Sequence, residues 1–379
     1  MQDGRSRIRN EPLMIIDRNS PVPQYFQLQT WLIGQIEQGV YKPHDKIPTE
    51  EELSRETGMA RATIRQAIQN LVNMGYLNRK RRLGTFVLSQ TAAGGRSRIV
   101  GVLVHDIRSG YAPELLRGIG DEAARHNYSV ILCNTDDLFS RAEFHSNQLI
   151  RQEVNGLIFM PAAAPPEKNR QLIEKFHQQS IPVVLLDREI SDFDHDRVTT
   201  DNFQGAYNLT CYLIGMGHRR IAIALSTAFS SERARLAGYK QALHDHQLPI
   251  DPALLFTIEE RFIEKQYQQY ARIILAERHK FTALFAGNDP IAYIIYHAAA
   301  EMGITIPEEL SLAGYDDLTF CGSRPMELTT VHQPIYEMGQ ESMKLLLQRI
   351  NGEAGPPCAI ELKSHLVERA SVQRIETAG

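Results

Sequence analysis

The 379-residue sequence lacks the features of secreted, membrane-spanning and disulfide-linked proteins. Its four cysteines, Cys133, Cys211, Cys321 and Cys358, lie far apart without any paired spacing. Such cysteines are typical of free thiols in a reducing compartment, since a disulfide framework or a zinc site needs a regular spacing. No apolar run is long enough to span a bilayer, and the apolar patch near the N-terminus covers only residues 13–16. We therefore expect a cytoplasmic protein without a membrane partner.

Motifs of catalysis are also missing. The sequence contains no nucleophile elbow, no metal-ligand cluster and no glycine-rich loop that could hold a phosphate. His105 and His218 stand alone in the sequence. We therefore expect no catalytic residue, no metal and no cofactor, and hence a protein that is not an enzyme. One enzymatic alternative stays open, a sugar-processing enzyme that uses Asp187 and Asp316 as paired carboxylates on a lobed scaffold.

Charge is distributed unevenly along the chain. Residues 1–90 carry 13 Lys and Arg against 9 Asp and Glu, a net charge of +4, whereas the remainder carries a net charge of −8. A basic first segment on an acidic body is typical of a DNA-binding module joined to a sensor. Chance clustering also gives a net charge of this size, so the arrangement of the elements must decide.

Three helices are predicted within the basic segment. The first covers residues 24–38. Thr49 and Glu52 have the spacing of a capping box that begins the second helix, and Gly58 ends it. A third helix is predicted over residues 61–74, because its apolar residues recur on one face. Two short helices joined by a tight turn form a helix-turn-helix. The outward face of the third helix carries Arg61, Arg65, Gln66, Gln69 and Asn70.

A basic hairpin is predicted directly after these helices. Its tip carries four consecutive cations, Arg79, Lys80, Arg81 and Arg82, and the chain returns through residues 85–87. Four cations alone are more often a solvated face, but beside a helix-turn-helix they form a wing that contacts phosphates. The wing then supplies affinity, and the start of the third helix supplies sequence choice. The alternative that this surface binds another protein stays open.

Four motifs lie in order in this region: KIPTE at 46–50, LS at 53–54, RATIRQA at 61–67 and GTFV at 84–87. Together they resemble the winged helix of the GntR family over residues 22–88. The resemblance implies that double-stranded operator DNA is the partner. Carried over by position, the family's DNA contacts fall on Arg55, Arg61, Thr63, Arg65 and Gly84. We add the outward Gln66 and the four wing cations to the predicted DNA-binding set.

The rest of the chain has a different pattern. Residues 90–97 are small, polar and glycine-bearing, which predicts a linker between a winged helix at 21–89 and a body at 98–379, with a flexible arm at 1–20. In the body, short apolar runs alternate with helical stretches, which favours an α/β fold with parallel sheets. About 280 residues exceed one core, so we expect two lobes with a cleft between them. Strands are predicted at 99–105, 129–133, 156–160, 183–186, 221–225, 282–286 and 311–313.

Polar side chains follow several of the predicted strands. Ligands bind beyond the carboxyl ends of parallel strands, and carboxylates and Arg side chains suit a ligand that is rich in hydroxyls. For any single residue, a turn or a helix cap is an equally good interpretation. The residues in question are Asp106, Asp187, Arg188, Asn288, Asp289, Asp316 and Asp317.

Further motifs in the body read TDN at 200–202, GHRRIA at 217–222, FAGND at 285–289, LAGYDD at 312–317 and LTTV at 328–331. From Arg98 to Ser371 the body resembles the effector domain of the lactose-repressor family, which is similar to periplasmic sugar-binding proteins. The resemblance implies a two-lobed domain that binds a small, sugar-like effector. It places effector contacts at Asp187, Arg235, Asn288 and Asp316, and in the first-strand loop at Asp106, Ser109 and Tyr111.

Phe262 lies where that family has an aromatic residue that stacks on the sugar, although Phe262 could equally be a core residue. A GntR winged helix joined to a lactose-repressor-type sensor is the arrangement of arabinose-repressor-like regulators. The resemblance therefore implies a ligand-responsive transcription repressor, homodimeric on a palindromic operator and nucleoid-associated when bound to DNA. In the family that it resembles, the effector usually releases DNA, but the sequence does not fix this sign, the identity of the effector or the operator.

Overall fold

The computed structural model describes residues 16–18, 20, 22–73, 75–80, 83–88, 98–108, 110–258, 264–319 and 326–376. By its internal contacts the chain divides into two compact units, residues 1–96 and 97–379. No helix in these described ranges is both long and apolar enough to cross a membrane. The predicted arm and linker lie wholly or mostly outside the described residues. So do four predicted site residues, Arg81, Arg82, Ser109 and Phe262.

The first unit is a winged helix-turn-helix. Its elements are α1 (Gln24–Glu37), α2 (Glu50–Thr57), α3 (Arg61–Asn73), β1 (Leu77–Lys80) and β2 (Gly84–Val87). The two strands pair antiparallel, with Leu77 opposite Val87. The apolar faces of the three helices meet in one core that includes the fully buried Leu28, Leu32, Ile64 and Leu71. The predicted helices and hairpin are confirmed.

Local sequence explains where α2 begins and ends. Thr49 Oγ1 accepts from the backbone N–H of Glu52 at 3.2 Å, and the Glu52 carboxylate accepts from the backbone N–H of Thr49 at 2.7 Å. This reciprocal pair is the predicted capping box. The helix ends at Gly58, which has a φ of 67°, a conformation that glycine adopts without a steric penalty. The turn that leads into α3 is fixed in this way.

The second unit alternates strands and helices. Its helices are α4 (Tyr111–Arg125), α5 (Phe139–Arg151), α6 (Pro166–His177), α7 (Asn202–Gly215), α8 (Ser230–Asp245), α9 (Glu264–Ala276), α10 (Asp289–Glu301) and α11 (Ile335–Ile350). Its strands are β3 (Ile99–Val104), β4 (Ser129–Asn134), β5 (Gly156–Phe159), β6 (Val183–Leu186), β7 (Arg197–Thr200), β8 (Ile221–Ser226), β9 (Leu255–Ile258), β10 (Ala283–Ala286), β11 (Ser311–Ala313), β12 (Thr330–His332), β13 (Ala359–Leu362) and β14 (His365–Val367).

Two parallel sheets form two lobes. The sheet of the first lobe has the order β13-β7-β6-β5-β3-β4, and α4, α5, α6 and α11 accompany it. The sheet of the second lobe has the order β11-β10-β8-β9, with α7 to α10. Residues of the central strands β5, β6 and β10 are buried throughout, as continuous apolar runs between two layers of helices require. The predicted α/β fold with two lobes is confirmed, and all seven predicted strands are present with ends within one residue.

The chain passes between the lobes at three places, from β7 to α7, from β12 to α11 and from β13 to β14. The three crossing segments are hydrogen-bonded to one another. Thr200 Oγ1 donates to Gln333 Oε1 at 2.5 Å, and the backbone N–H of Asp201 donates to the carbonyl of Leu362 at 3.0 Å. The lobes are therefore joined by three hydrogen-bonded segments rather than by one loop.

Glycines permit the close packing of α4 on α11 in the first lobe. A Cβ at Gly118 would collide with the backbone carbonyl of Tyr336, and one at Gly339 would collide with the carbonyl of Leu115. At Gly120, two residues along α4, an added Cβ would meet no atom within 4 Å. The two glycines of α4 therefore differ in what they contribute.

Gly118→Ala should lower the free energy of unfolding by about 1–3 kcal/mol, because the two helices must separate to admit the methyl group. The control Gly120→Ala should raise it by about 0.5–1 kcal/mol, because alanine favours a helix. Urea unfolding of the full chain, followed by circular dichroism, measures both. Equal midpoints for the two variants would show that the backbone contact does not limit the packing.

Candidate functional site

The predicted DNA-binding side chains that the structure describes lie on neighbouring elements of the first unit. Arg61, Arg65 and Gln66 are exposed on α3, and Thr63 is half-buried there. Arg55 is exposed on α2. The exposed face of α3 therefore presents two guanidinium groups and an amide, the groups that hydrogen-bond to base edges and phosphates.

These cations are paired with carboxylates at the start of α2. Arg61 Nη2 lies 2.9 Å from Glu51 Oε1. Glu50 contacts two arginines, Arg65 Nε at 3.2 Å and Arg79 Nη2 at 2.5 Å. Sequence reasoning missed these partners, although three consecutive glutamates in the first turn of α2 are visible in the sequence.

The wing places its described cations beside the helices. The Lys80 ammonium lies 5.2 Å from the centre of the Phe86 ring on the opposite strand. Gly84 has a φ of 122°, and an added Cβ there would collide with the Lys46 side chain. Another residue would be strained at this φ, and the flexible end of Lys46 would also have to move aside.

In the second unit, the polar side chains that follow the strands converge between the two lobes. From the first lobe come Asp187 and Arg188, which follow β6. From the second lobe comes Asp316, which follows β11, and Arg235 on α8 reaches the same region. Three of the aspartates that follow strands have left-handed backbones, with φ of 54° at Asp137, 64° at Asp187 and 122° at Asp316. Such conformations concentrate at ligand sites.

Arg235 is the most connected of these residues. Its Nε donates to Asn202 Oδ1 at 2.8 Å, and its Nη1 donates to the carbonyl of Gly287 at 2.6 Å. Nη2 lies 3.6 Å from Asp316 Oδ1, and the guanidinium stacks 3.8 Å from the centre of the Tyr315 ring. Three segments of the second lobe, at residues 202, 287 and 315–316, therefore contact this buried cation.

Asp316 is held from the opposite side by a crossing segment. Gln333 Nε2 donates to Asp316 Oδ1 at 2.6 Å, while Gln333 Oε1 accepts from Thr200. Burial raises the pKa of Asp316 well above its usual range, although the charge of Arg235 opposes this rise. Asp316 is thus connected through one side chain to the segments that join the lobes.

Arg188 forms the second buried ion pair. It donates through Nη1 and Nη2 to the Asp137 carboxylate, and Nη1 also donates to the carbonyl of Pro161 at 3.0 Å. Burial is the largest influence and by itself raises the pKa of Asp137, but the charge and hydrogen bonds of Arg188, together with His105, lower this pKa below its usual value. The Phe229 ring of the second lobe covers the guanidinium at 3.7 Å. This pair therefore contacts both lobes.

Asp187 and Tyr111 meet beside this pair. The Tyr111 hydroxyl donates to Asp187 Oδ1 at 3.0 Å, and Asp187 Oδ2 lies 3.8 Å from Arg188 Nε. Asp106 is placed differently, because its carboxylate accepts three hydrogen bonds from Arg108. Two predicted effector residues thus adjoin the Arg188 pair, while Asp106 is bonded to Arg108 within its own loop and its role as an effector contact stays a prediction.

Asn288 acts as a helix cap in this structure. Its Oδ1 accepts from the backbone N–H of Ile291 at 2.9 Å, and its Nδ2 donates to Glu232 Oε1 at 2.8 Å. Glu232, on α8, also accepts from the backbone N–H of Ser226, and burial raises its pKa. Both ends of the Asn288 side chain are therefore engaged within the second lobe.

Sequence reasoning missed several residues of the cleft, notably Asp137, Phe229, Glu232 and Gln333. Asp137 carries the signal that identified the others, because it follows β4 closely and is polar. Glu232 carries no such signal, since a glutamate in the first turn of a helix is usually exposed. Gln333 belongs to a crossing segment whose contacts depend on the complete fold.

Two sequence families match different parts of the chain. Bacterial regulatory proteins of the gntR family match residues 25–87, and the periplasmic binding protein-like domain matches residues 210–372. The first match falls on the winged helix, and the second covers most of the second lobe together with α11 and the end of the chain.

Over most of its length, the chain is similar to transcriptional regulators. The arabinose metabolism transcriptional repressor of Geobacillus stearothermophilus is 28% identical over 337 residues, which cover 88% of this chain and 93% of that repressor. Catabolite control protein A of Priestia megaterium is 27% identical over 332 residues, which cover 85% of this chain and 98% of that protein. A LacI family transcriptional regulator from Enterococcus faecium, solved with bound ribose, is 32% identical with a TM-score of 0.65, and the match covers 73% of this chain and 100% of that one.

His105 follows β3 and lies among the charged side chains of the cleft. Its surroundings predict a measurable dependence of stability on pH. Burial lowers the pKa of His105, and the charge of Arg188 lowers it further. The folded chain therefore keeps this ring neutral where the unfolded chain takes up a proton. The stability that His105 contributes is complete above the unfolded pKa of about 6.5 and is lost as the pH falls below it.

His105→Asn should therefore flatten the fall in unfolding free energy between about pH 6.5 and pH 5, by at most about 1.4 kcal/mol per pH unit. Urea unfolding of both proteins over this range measures the slopes. Above about pH 8, where neither state binds this proton, the slopes should coincide. Parallel slopes over the acidic range would show that His105 titrates alike in the folded and unfolded chains.

Proposed function

Because the chain belongs to the LacI-type transcriptional regulators and carries a GntR-type DNA-binding domain, we propose that it is a sugar-responsive repressor. It is a DNA-binding regulator and not an enzyme. In the proposed function, a sugar binds between the lobes of the second unit and changes the affinity of the chain for operator DNA. The coupling is reciprocal, so DNA changes the affinity for the sugar by the same factor.

One observation carries this proposal, the convergence of hydrogen-bonding groups from both lobes at the carboxyl ends of their strands. Asp187 and Arg188 come from one lobe, and Arg235 and Asp316 come from the other. A polyol bound there can donate to the carboxylates and accept from the guanidinium groups of both lobes. A ligand that contacts both lobes favours their closed arrangement, which is the requirement for a conformational response. We retain Tyr111 beside Asp187 as an effector contact.

The charge of the cleft points to an uncharged sugar. Its carboxylates belong to Asp137, Asp187, Glu232 and Asp316, and its guanidinium groups to Arg188 and Arg235. Among the described residues of the cleft, both guanidinium groups already have a carboxylate partner, so an anionic ligand would have to compete with Asp137 and Asp316 for them.

A thermal-unfolding screen of the full chain tests the ligand. At a hundred times its dissociation constant, a cognate neutral pentose or hexose should stabilise the chain by about 2.7 kcal/mol. The phosphate ester of the same sugar should have no such effect. Asp187→Asn should remove the response, because the carboxylate accepts from a sugar hydroxyl, while the amide can still accept from Tyr111.

Asp192→Asn is the matched control, because Asp192 is exposed and has a φ of 52° that asparagine also adopts. It should respond to the sugar as the unmodified chain does. A stronger response to the sugar phosphate would contradict the neutral ligand. A folded chain that responds to no sugar would contradict the sugar altogether.

We further propose that the chain acts as a cytoplasmic homodimer on a palindromic operator, with one winged helix for each half-site. The second lobe presents exposed apolar side chains on two helices that pack together, Ile273 on α9 and Tyr293 on α10, which are 52% and 46% exposed. Exposed apolar residues on adjacent helices suit burial against a second copy of the chain.

In the proposed complex with operator DNA, α3 reads base edges and the wing contacts phosphates. Arg61, Thr63, Arg65 and Gln66 belong to α3, with Arg55 close by on α2. The wing supplies Arg79, Lys80 and Gly84, and we keep Arg81 and Arg82, which lie outside the described residues, as wing cations. A phosphate contact releases about one counterion, whereas a base contact changes sequence preference.

Lys80→Ala should weaken binding to all duplexes equally and reduce the slope of log affinity against log salt by about 0.9 for each chain that contacts DNA. Mobility assays at several salt concentrations measure this slope. Titration to saturation in the same assay should give two chains bound to each duplex that contains the operator. A changed sequence preference, or one chain per duplex, would contradict the assigned roles.

A further inference from the structure

A single carboxylate connects the two DNA-facing parts of the winged helix. Glu50, the first residue of α2, lies 3.2 Å from Arg65 Nε on α3 and 2.5 Å from Arg79 Nη2 on β1. The Glu50 side chain is 26% exposed, and the side chains of Arg65 and Arg79 are 64% and 38% exposed. The position of Glu50 is itself fixed, because the capping box at Thr49 sets where α2 begins.

The contact with Glu50 leaves the far end of Arg65 available. Arg65 donates through Nε, and its two terminal nitrogens have no further protein partner among the described residues. Those two nitrogens form the fork that donates bidentately to O6 and N7 of guanine in the major groove. A carboxylate on Nε restricts the rotation of the guanidinium plane and aims this fork in one direction.

We propose that Glu50 is a positioning residue for sequence recognition, which orients Arg65 for a base edge and holds Arg79 of the wing in register with it. The inference rests on the proposed DNA-binding function and names the residue that sets its selectivity. Glu50 acts through the two arginines and makes no DNA contact of its own.

Stability alone does not explain this arrangement. Exposed ion pairs contribute little to folding, because screening and the ordering of long side chains offset the attraction. A carboxylate close to the DNA-facing surface also repels the phosphates of every duplex, whatever its sequence. The useful effect of Glu50 is therefore on selectivity, since an arginine that is already ordered loses less rotamer freedom when it meets its base.

Glu50→Gln in the full chain separates these effects. The probes are a duplex enriched by the unmodified chain from a pool with a randomised centre, and the same duplex with its centre shuffled. We expect affinity for the enriched duplex to fall about tenfold, because the fork of Arg65 is no longer held. Affinity for the shuffled duplex should rise, because a negative charge has been removed. The charge-matched control Glu56→Gln, at an exposed position of the same helix, should keep the selectivity of the unmodified chain.

Further variants show through which residue Glu50 acts. In an Arg65→Ala background, Glu50→Gln should cause no additional loss of selectivity, because the residue that it positions is absent. Glu50→Asp keeps the charge but shortens the reach, so it should recover only part of the selectivity. Thermal unfolding of each variant reports on the fold independently of DNA.

Two results would overturn the role of Glu50. One is an unchanged ratio of the two affinities in Glu50→Gln. The other is a parallel loss of both affinities together with a lower unfolding temperature, which would mark a purely structural residue. If the unmodified chain enriches no sequence from the pool, the proposed operator function fails instead. The two failures are therefore distinguishable.

Discussion

The burial of the Arg235 guanidinium within the second lobe is the interaction on which the sensor depends. A buried guanidinium must have partners for its donors, because an uncompensated charge in the interior is strongly destabilising. Arg235 satisfies this requirement with the start of α7, the carboxyl end of β10 and the carboxylate of Asp316. Gln333 then connects Asp316 to the segments that join the lobes. The same contacts that stabilise the cation therefore place hydrogen-bonding groups beside the segments that join the lobes.

The sequence predicted those parts of the fold that local pattern determines. Strands such as β6 and β10 are continuous apolar runs, and burial on both faces of a parallel sheet requires this composition. The strands β7, β9, β12, β13 and β14 were missed. β13 alternates exposed and half-buried residues, and it pairs with β7, which lies far earlier in the chain. No local pattern specifies such a pairing, because its two strands are about 160 residues apart in the sequence and meet only in the folded first lobe.

For the candidate sites too, the sequence predicts the positions of residues but not the partners of their side chains. The positions of Asp187, Arg188 and Asp316 followed from one geometric rule, that parallel strands end at the same edge of a sheet. The rule does not say which partner each side chain finds. Asn288 lies at a strand end as expected, yet its side chain caps α10 and contacts Glu232. In the winged helix, the outward residues of α3 could be read from helical periodicity, whereas the pairing of two arginines with Glu50 depends on the packing of three separate elements.

The three crossings between the lobes have a consequence for the order in which the protein is made. The first lobe receives α11 and its edge strand β13 only from the end of the chain, whereas the elements of the winged helix are complete by Val87. Domains fold as units during synthesis, with the N-terminal one first. A nascent chain therefore carries a finished DNA-binding unit while its sensor still lacks a strand and a helix. During that interval the proposed sugar site is incomplete, so sensitivity to the ligand can begin only after α11 and β13 have been made.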